Sequence, residues 1–393
     1  MKNKVIKLSE RYYTEAVEFR QLMHRHPELS FEEFNTADLI CNKLDQLLVP
    51  FKRGVGGNGI VATLKGKNPD SKIIALRADF DALPIHEETD LSFCSLNEGV
   101  MHACGHDFHT ASLLSVIKVL KDLKTEWEGT VHFVFQHAEE LLPGGAIQML
   151  EAKLFRDSQP ECIVAQHVDP DLKSGTFGFK AGKYMASNDE IYLTVKGKGG
   201  HGALPHKIDD TVLAASQIIV SLQQIASRNV PSNVPMVLSF GKMIADGATN
   251  VIPDKVEIAG TFRMFDEDLR KVVHQQIINI AESTAKAFGC ECEVDIRKGY
   301  PVVENDTELT EIAREIVKED LGSNKCHKLD YRMTSEDFGY FTQKYKALFY
   351  RLGVAHDETA LNFPLHSSKF NPKEDALKYS IQFMSTLALK LLS

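Results

Sequence analysis

The chain has 393 residues, 43% hydrophobic and 25% charged, with a formal net charge of −9. That length exceeds what one core usually supports, so two domains are expected, and the acidic balance gives no electrostatic basis for binding nucleic acid or an anionic membrane surface. No run approaches the ~20 apolar residues of a membrane span, and Cys41, Cys94, Cys104, Cys162, Cys290, Cys292 and Cys326 are scattered without an export signal, which reads as reduced thiols in a cytoplasmic protein.

Helical periodicity in the N-terminal stretch ends near "HRHPEL", where Pro27 stops it. Apolar runs then alternate with amphipathic ones, predicting strands over 59–66, 72–78, 130–136 and 162–166 and helices over 109–124 and 143–154. Strand and helix taking turns predict an α/β layer with a mainly parallel central sheet. From about residue 187 the rhythm changes to strand 189–197, helix 209–227, strands 235–243 and 255–264, helix 266–288 and strand 290–297, the β-α-β-β-α-β order of a ferredoxin-like unit. A short strand over 347–352 and a closing helix over 374–392 return to the earlier style. The expected organisation is a larger domain in two segments, 1–186 and 299–393, with a ferredoxin-like α+β domain inserted at 187–298.

Open α/β sheets bind ligands beyond the carboxyl ends of their strands, and those ends carry the reactive residue types here. Asp79 and Asp81 follow one strand, His137, Glu139 and Glu140 a second, and His167 a third. The segment "MHACGHDFH" (101–109) crowds histidines, a cysteine and an aspartate into the loop entering a helix, and His366 lies in "FPLHSSKF". Taken singly, an Asp at a strand end is usually a cap and a lone His a satisfied polar residue. Converging on one sheet edge, they read as a metal site.

Two divalent ions about 3.5–4 Å apart can share a water and clamp the oxygens of a hydrolytic transition state. Cys104, His106, Glu140, His167 and His366 supply the neutral imidazoles and anions that such a pair needs, coordination deprotonating the thiol outright. Glu139 then remains to take the water's proton as general base, and Asp81 and Asp107 are placed to orient ligand histidines from behind. The donor set admits zinc, manganese, nickel or cobalt. A metal-independent hydrolase with Cys104 as nucleophile leaves Glu139, Glu140, His167 and His366 without a role. A binding protein that has lost catalysis leaves Glu139 unexplained.

The segments "HRHPELSFEE" (24–33), "LRADFDALPI" (76–85), "MHACGHDFHTA" (101–111), "FQHAEELLPGGA" (135–146), "QHVDP" (166–170), "GKGGHGALPH" (197–206), "TNVIPD" (249–254), "SEDFGYF" (335–341) and "LHSSKF" (365–370) resemble, in order, those of the dinuclear metallohydrolases that include aminoacylases, hippurate hydrolases, auxin-conjugate amidohydrolases and acetyldiaminopimelate deacetylases. The resemblance is to the branch with a cysteine ligand and spans essentially the whole chain. It implies the same metal ligands and the same base, a catalytic domain split by a lid domain that mediates homodimer formation, and His201 from the lid as stabiliser of the oxyanion. It also implies Asn250 and Arg263 as contacts for the substrate carboxylate. One departure is "LLP" between the Glu pair and Gly144. The expected reaction is hydrolysis of the amide bond of an N-acyl amino acid by a metal-bridged water, with lid closure over the small substrate. Dipeptide hydrolysis and acetyldiaminopimelate deacetylation are alternatives within the family.

Overall fold

The computed structural model describes residues 1–393, and the chain divides into two compact units. The first comprises Met1–Tyr184, Val303–Tyr331 and Asp337–Ser393; the second comprises Met185–Val302 and Arg332–Glu336.

The first unit is built on an 8-stranded sheet in the order Phe51–Arg53, Ile60–Lys65, Thr130–Gln136, Ile73–Asp79, Cys162–Lys173, Lys346–Ala355, Phe177–Phe179, Cys326–Lys328. Its central pairings are parallel, and antiparallel pairings lie toward the edges. Thr130–Gln136 is buried at every position, as a strand covered on both faces must be. The helices Lys2–Arg25, His106–Asp122 and Ala376–Leu392 pack on one another. His106–Asp122 is the innermost, buried continuously from His106 to Leu120.

Several elements differ from the sequence expectation. The helix expected over 109–124 begins at His106, because Gly105 turns the chain in a left-handed conformation at φ 82° and so starts the helix inside the histidine-rich motif. The strand expected to end at residue 166 continues to Lys173, held by parallel pairing to Lys346–Ala355, so His167 lies within a strand and not beyond its end. A second helix, Phe34–Gln46, comes after Pro27, and another, Thr307–Asp320, opens the C-terminal segment; neither was expected. The latter was readable: Asp306 caps it through Leu309 N–H at 2.8 Å, and Leu309, Ala313, Ile316 and Val317 form its buried stripe.

The second unit has a four-stranded sheet in the order Met236–Ile244, Lys255–Met264, Ser187–Lys196, Glu291–Lys298, antiparallel throughout. This is the ferredoxin-like order. Alternate residues of Ser187–Lys196 are buried, as one covered face requires. Ile191, Leu193 and Val195 share a core with Ile218 and Leu222 of the helix Thr211–Gln224 and Ile277 of the helix Glu267–Ala287. No helix of the chain is long and apolar enough to cross a membrane.

Candidate metal centre

All of the expected metal ligands fall in the first unit: Cys104 and His106 at the start of the helix His106–Asp122, Glu140 beyond the strand Thr130–Gln136, His167 within the strand Cys162–Lys173 and His366 in the loop before the last helix. His106 is fixed by Asp81, two residues beyond the end of the strand Ile73–Asp79. The His106 Nδ1–H donates to both the main-chain oxygen and Oδ1 of Asp81, each at 3.0 Å, and because both acceptors lack protons, Nε2 is the nitrogen that carries the lone pair when the ring is neutral. The other oxygen of the same carboxylate accepts from Glu140 N–H at 3.0 Å and from the Ser30 hydroxyl at 2.6 Å. Asp81 therefore sets His106 and the Glu140 backbone together.

His167 is prepared in the same way. Its Nδ1–H donates to the Val168 carbonyl at 2.7 Å, and its Nε2 stands 3.3 Å from Cys104 Sγ. Burial, with Arg351 nearby, holds His167 well below the usual imidazole range, so it is neutral. Burial and the carboxylates of Glu140, Glu139 and Asp79 push the Cys104 thiol well up. A thiolate forms there only against added positive charge.

Burial lowers His106, but Asp79, Asp81 and Glu140 outweigh it and raise the ring to about 10, so these carboxylates favour a positive charge at Nε2, whether a proton or a metal ion. The site is thus short of positive charge. His366, at φ 64°, hydrogen-bonds through its backbone N–H to Ala103 O at 2.9 Å and brings Nε2 to 3.4 Å from Glu140 Oε1.

Cys104, His106 and His167 form one group with a donor atom of each within 4.8 Å of the others, and Cys104, Glu140 and His366 form another. His106 Nε2 and Glu140 Oε1 are buried without any hydrogen-bond partner. Buried polar atoms are otherwise almost always paired, and two lone-pair donors turned on one another across 3.8 Å suit a cation between them. The residues present fit a pair of divalent ions.

Glu139 is buried and lies with His106 and Glu140 in a further group of the same span. Its approach is set by Ala138, a non-glycine residue at φ 49°. Ala138 N–H donates to Glu33 Oε1, and its carbonyl accepts Gly145 N–H, both at 2.8 Å. A Cβ on Gly145 would sit 1.8 Å from the His137 carbonyl, so the second glycine after "LLP" is a steric requirement. Glu33 was not singled out from the sequence. Burial, with Asp81 nearby, raises it to about 7.

Asp107 does not orient a ligand histidine. Its Oδ2 accepts from Arg20 Nε at 3.1 Å and His24 Nδ1 at 2.9 Å. One residue along an α-helix is a rotation of about 100°, which turns Asp107 away from His106 and toward the first helix. The residue that shares the His106 side is His109, three positions on, with ring centroids 5.5 Å apart. Its Nδ1–H donates to Asp79 Oδ1 at 2.6 Å, and its Nε2 accepts Val168 N–H at 3.0 Å. Both nitrogens are occupied, so His109 is not a ligand. It satisfies the strand edge left open where pairing with Ile73–Asp79 stops at Ala165. His102 is buried, and burial lowers it to about 4.

In the second unit, His201 pairs with Val251 across a two-stranded ribbon, and Gly202 N–H donates to Asn250 O at 2.9 Å. His201 Nδ1 accepts Ala203 N–H at 3.1 Å, which leaves Nε2 as the proton-bearing atom of an exposed ring. Arg263 Nη1 donates to Ser335 Oγ at 3.0 Å and Met333 O at 3.4 Å, tying the strand to the segment Arg332–Glu336.

Residues 75–390 match the profile of peptidase family M20/M25/M40. The chain is 37% identical over 386 residues to the N-acetylcysteine deacetylase of Bacillus subtilis, covering 97% of this chain and 98% of that protein. It is 38% identical over 380 residues to the hippurate hydrolase of Campylobacter jejuni, with coverages of 96% and 97%. Among solved structures, the YXEP protein of Bacillus subtilis, a dinuclear metal-binding peptidase from the M20 family, matches with a TM-score of 0.84 at 34% identity, covering 98% of this chain and 99% of that one.

Proposed function

The chain belongs to peptidase family M20/M25/M40 and is a hydrolase of amide bonds, and on that premise we propose that it deacylates N-acyl amino acids. Cys104, His106, Glu140, His167 and His366 hold two divalent ions, with zinc and manganese the best matches to the mixed donor set and nickel and cobalt also suited. When bound, the ions supply a Lewis acid for the scissile carbonyl and lower the pKa of the attacking water. The observation that carries this reading is that His106 Nε2 and Glu140 Oε1 are buried without a hydrogen bond among donor atoms of Cys104, His167 and His366.

Glu139 takes the proton of the attacking water and returns it to the leaving amine. His201 donates from Nε2 to the developing oxyanion, a role that the Ala203 N–H bond to its Nδ1 supports. Asn250 and Arg263 bind the substrate carboxylate, with Arg263 using donors beyond its Nη1. A thiol nucleophile at Cys104 is the poorer reading, since burial and three carboxylates keep that thiol protonated.

Residues 1–186 and 299–393 serve as the catalytic domain and 187–298 as a lid. Leu213, Val220 and Val272 are exposed on the lid helices and Met243 and Ile244 on its edge strand, an apolar surface that fits a homodimer contact. Free thiols at all seven cysteines fit a cytoplasmic location. The test is a panel of N-acetyl, N-benzoyl and longer N-acyl amino acids, with dipeptides and N-acetyldiaminopimelate, assayed on metal-stripped enzyme reloaded with each ion in turn. Turnover of N-acyl amino acids only after reloading supports the reading. Activity that survives chelation and dies on thiol alkylation overturns it.

A further inference from the structure

The two segments that bring Cys104 with His106 and His366 to one place lie far apart in the chain. Besides the direct bond from His366 N–H to Ala103 O, one buried guanidinium bonds to both. Arg20, toward the C-terminal end of the helix Lys2–Arg25, is 0% exposed. Its Nε donates to Asp107 Oδ2 at 3.1 Å, immediately after His106. Its Nη1 donates to Glu374 Oε1 and its Nη2 to Asn371 Oδ1, each at 2.9 Å, in the stretch just C-terminal to His366. Arg20 and Glu374 are 354 residues apart in sequence.

Neighbouring contacts build on the same helix face. His24, four residues on, bonds to Asp107 through Nδ1 at 2.9 Å and to Glu87 through Nε2 at 3.2 Å. Glu88 N–H in turn donates to Ser368 O at 2.8 Å, and the Ser368 hydroxyl to Glu88 Oε2 at 2.6 Å. None of these side chains is a candidate ligand, yet each bonds to a segment that carries one.

We propose that Arg20 is a positioning residue that sets the separation between the Cys104–His106 segment and the His366 segment, and with it the affinity of the second metal ion. The proposal rests on the ligand assignment given above. A guanidinium suits the task because its planar fork directs donors to several fixed acceptors at once. An ammonium presents a point charge on a flexible stem and cannot hold three acceptors in one plane. The His366 segment needs such a hold, because His366 is half exposed and its residue sits at a positive φ.

The experiment is equilibrium dialysis of the chelator-stripped protein against buffered zinc(II), with bound zinc counted by mass spectrometry and thermal unfolding of the metal-free protein measured in parallel. Wild type is expected to bind two zinc ions. Asn371→Ala removes one arm on the His366 side and leaves the buried Arg20–Asp107 pair in place. It is expected to weaken one zinc by about tenfold or more with only a small fall in the unfolding midpoint of the metal-free protein, from the acceptor that Arg20 Nη2 loses, and Asn371→Asp, which keeps the acceptor, is expected to restore most of the loss. Arg20→Lys is expected to show a larger loss of the same one ion.

Wild-type affinity for both ions in folded Asn371→Ala and Arg20→Lys overturns the positioning role, as does an equal loss of both ions or a loss that only tracks the midpoint. Should Arg20→Lys fail to fold, the Asn371 pair decides. Wild type that binds no zinc overturns the ligand assignment instead, a result separable from the others.

Discussion

Asp81 accepts the Nδ1 proton of His106 at 3.0 Å and thereby turns the ring's unpaired Nε2 toward Glu140. The same carboxylate anchors the Glu140 backbone, so the two potential ligands share one support. Asp81→Ala is expected to weaken metal binding by about 10- to 100-fold and to lower activity in step with metal occupancy. Titration calorimetry on the stripped protein checks this; unchanged affinity counts against the orienting role.

Glu139→Gln keeps the shape of the side chain and removes its ability to take a proton. The expected outcome is a loss of about 10²- to 10⁴-fold in kcat with metal content as in wild type. Steady-state kinetics beside elemental analysis separates a lost base from a lost metal. Unchanged turnover on every N-acyl amino acid tested shows that the base lies elsewhere.

His109 bonds to Asp79 and to Val168 N–H, both buried. Replacing it with Leu leaves a buried donor unsatisfied and takes one partner from a buried carboxylate, an expected cost of about 2–4 kcal/mol. Urea unfolding measures it. A shift in midpoint well below that range indicates that water takes over the freed positions.

Asp189 in the second unit offers a pH prediction away from the metal centre. Burial opposes its ionisation, but hydrogen bonds from His274 and Arg270 prevail and lower it from 3.8 to about 2. A carboxylate whose folded value is depressed adds stability above its unfolded value and loses it as pH falls through the folded one. The contribution, about 2 kcal/mol, is expected to be complete above pH ~4 and to disappear between pH ~4 and ~2. In Asp189→Asn the unfolding free energy should be lower at neutral pH and flatter across that window; an unaltered pH slope argues against the assignment.

Periodicity in the sequence was enough for the alternating strands and helices of the first unit and for the β-α-β-β-α-β order of the second, because burial of one face or both imposes a repeat that a single strand or helix displays by itself. Residue chemistry likewise pointed to Cys104, His106, Glu140, His167 and His366 as a group. The helix Thr307–Asp320 was legible through its cap and its apolar stripe. Phe34–Gln46, which has no side-chain cap, was less so.

The supports behind the site were a different matter. Whether Asp107 or His109 stands beside His106 depends on the helix beginning at Gly105, and His167 gains its place from a strand extended by a partner some 180 residues further on, as in the Tyr350–Gln166 contact with a separation of 184. Arg20 lies in a stretch that shows only helical periodicity, and His24 and Glu33 lie in "HRHPELSFEE", a segment that carries the resemblance but assigns neither of them a role. Their roles arise from partners at Asp107, Glu374, Glu87 and Ala138. The sequence by itself determined which chemistry the chain carries, since donor type is a property of the residue. Only the tertiary structure decided which donors are held, by what, and in which tautomer, because a hydrogen bond between distant residues leaves no mark on the local pattern of either.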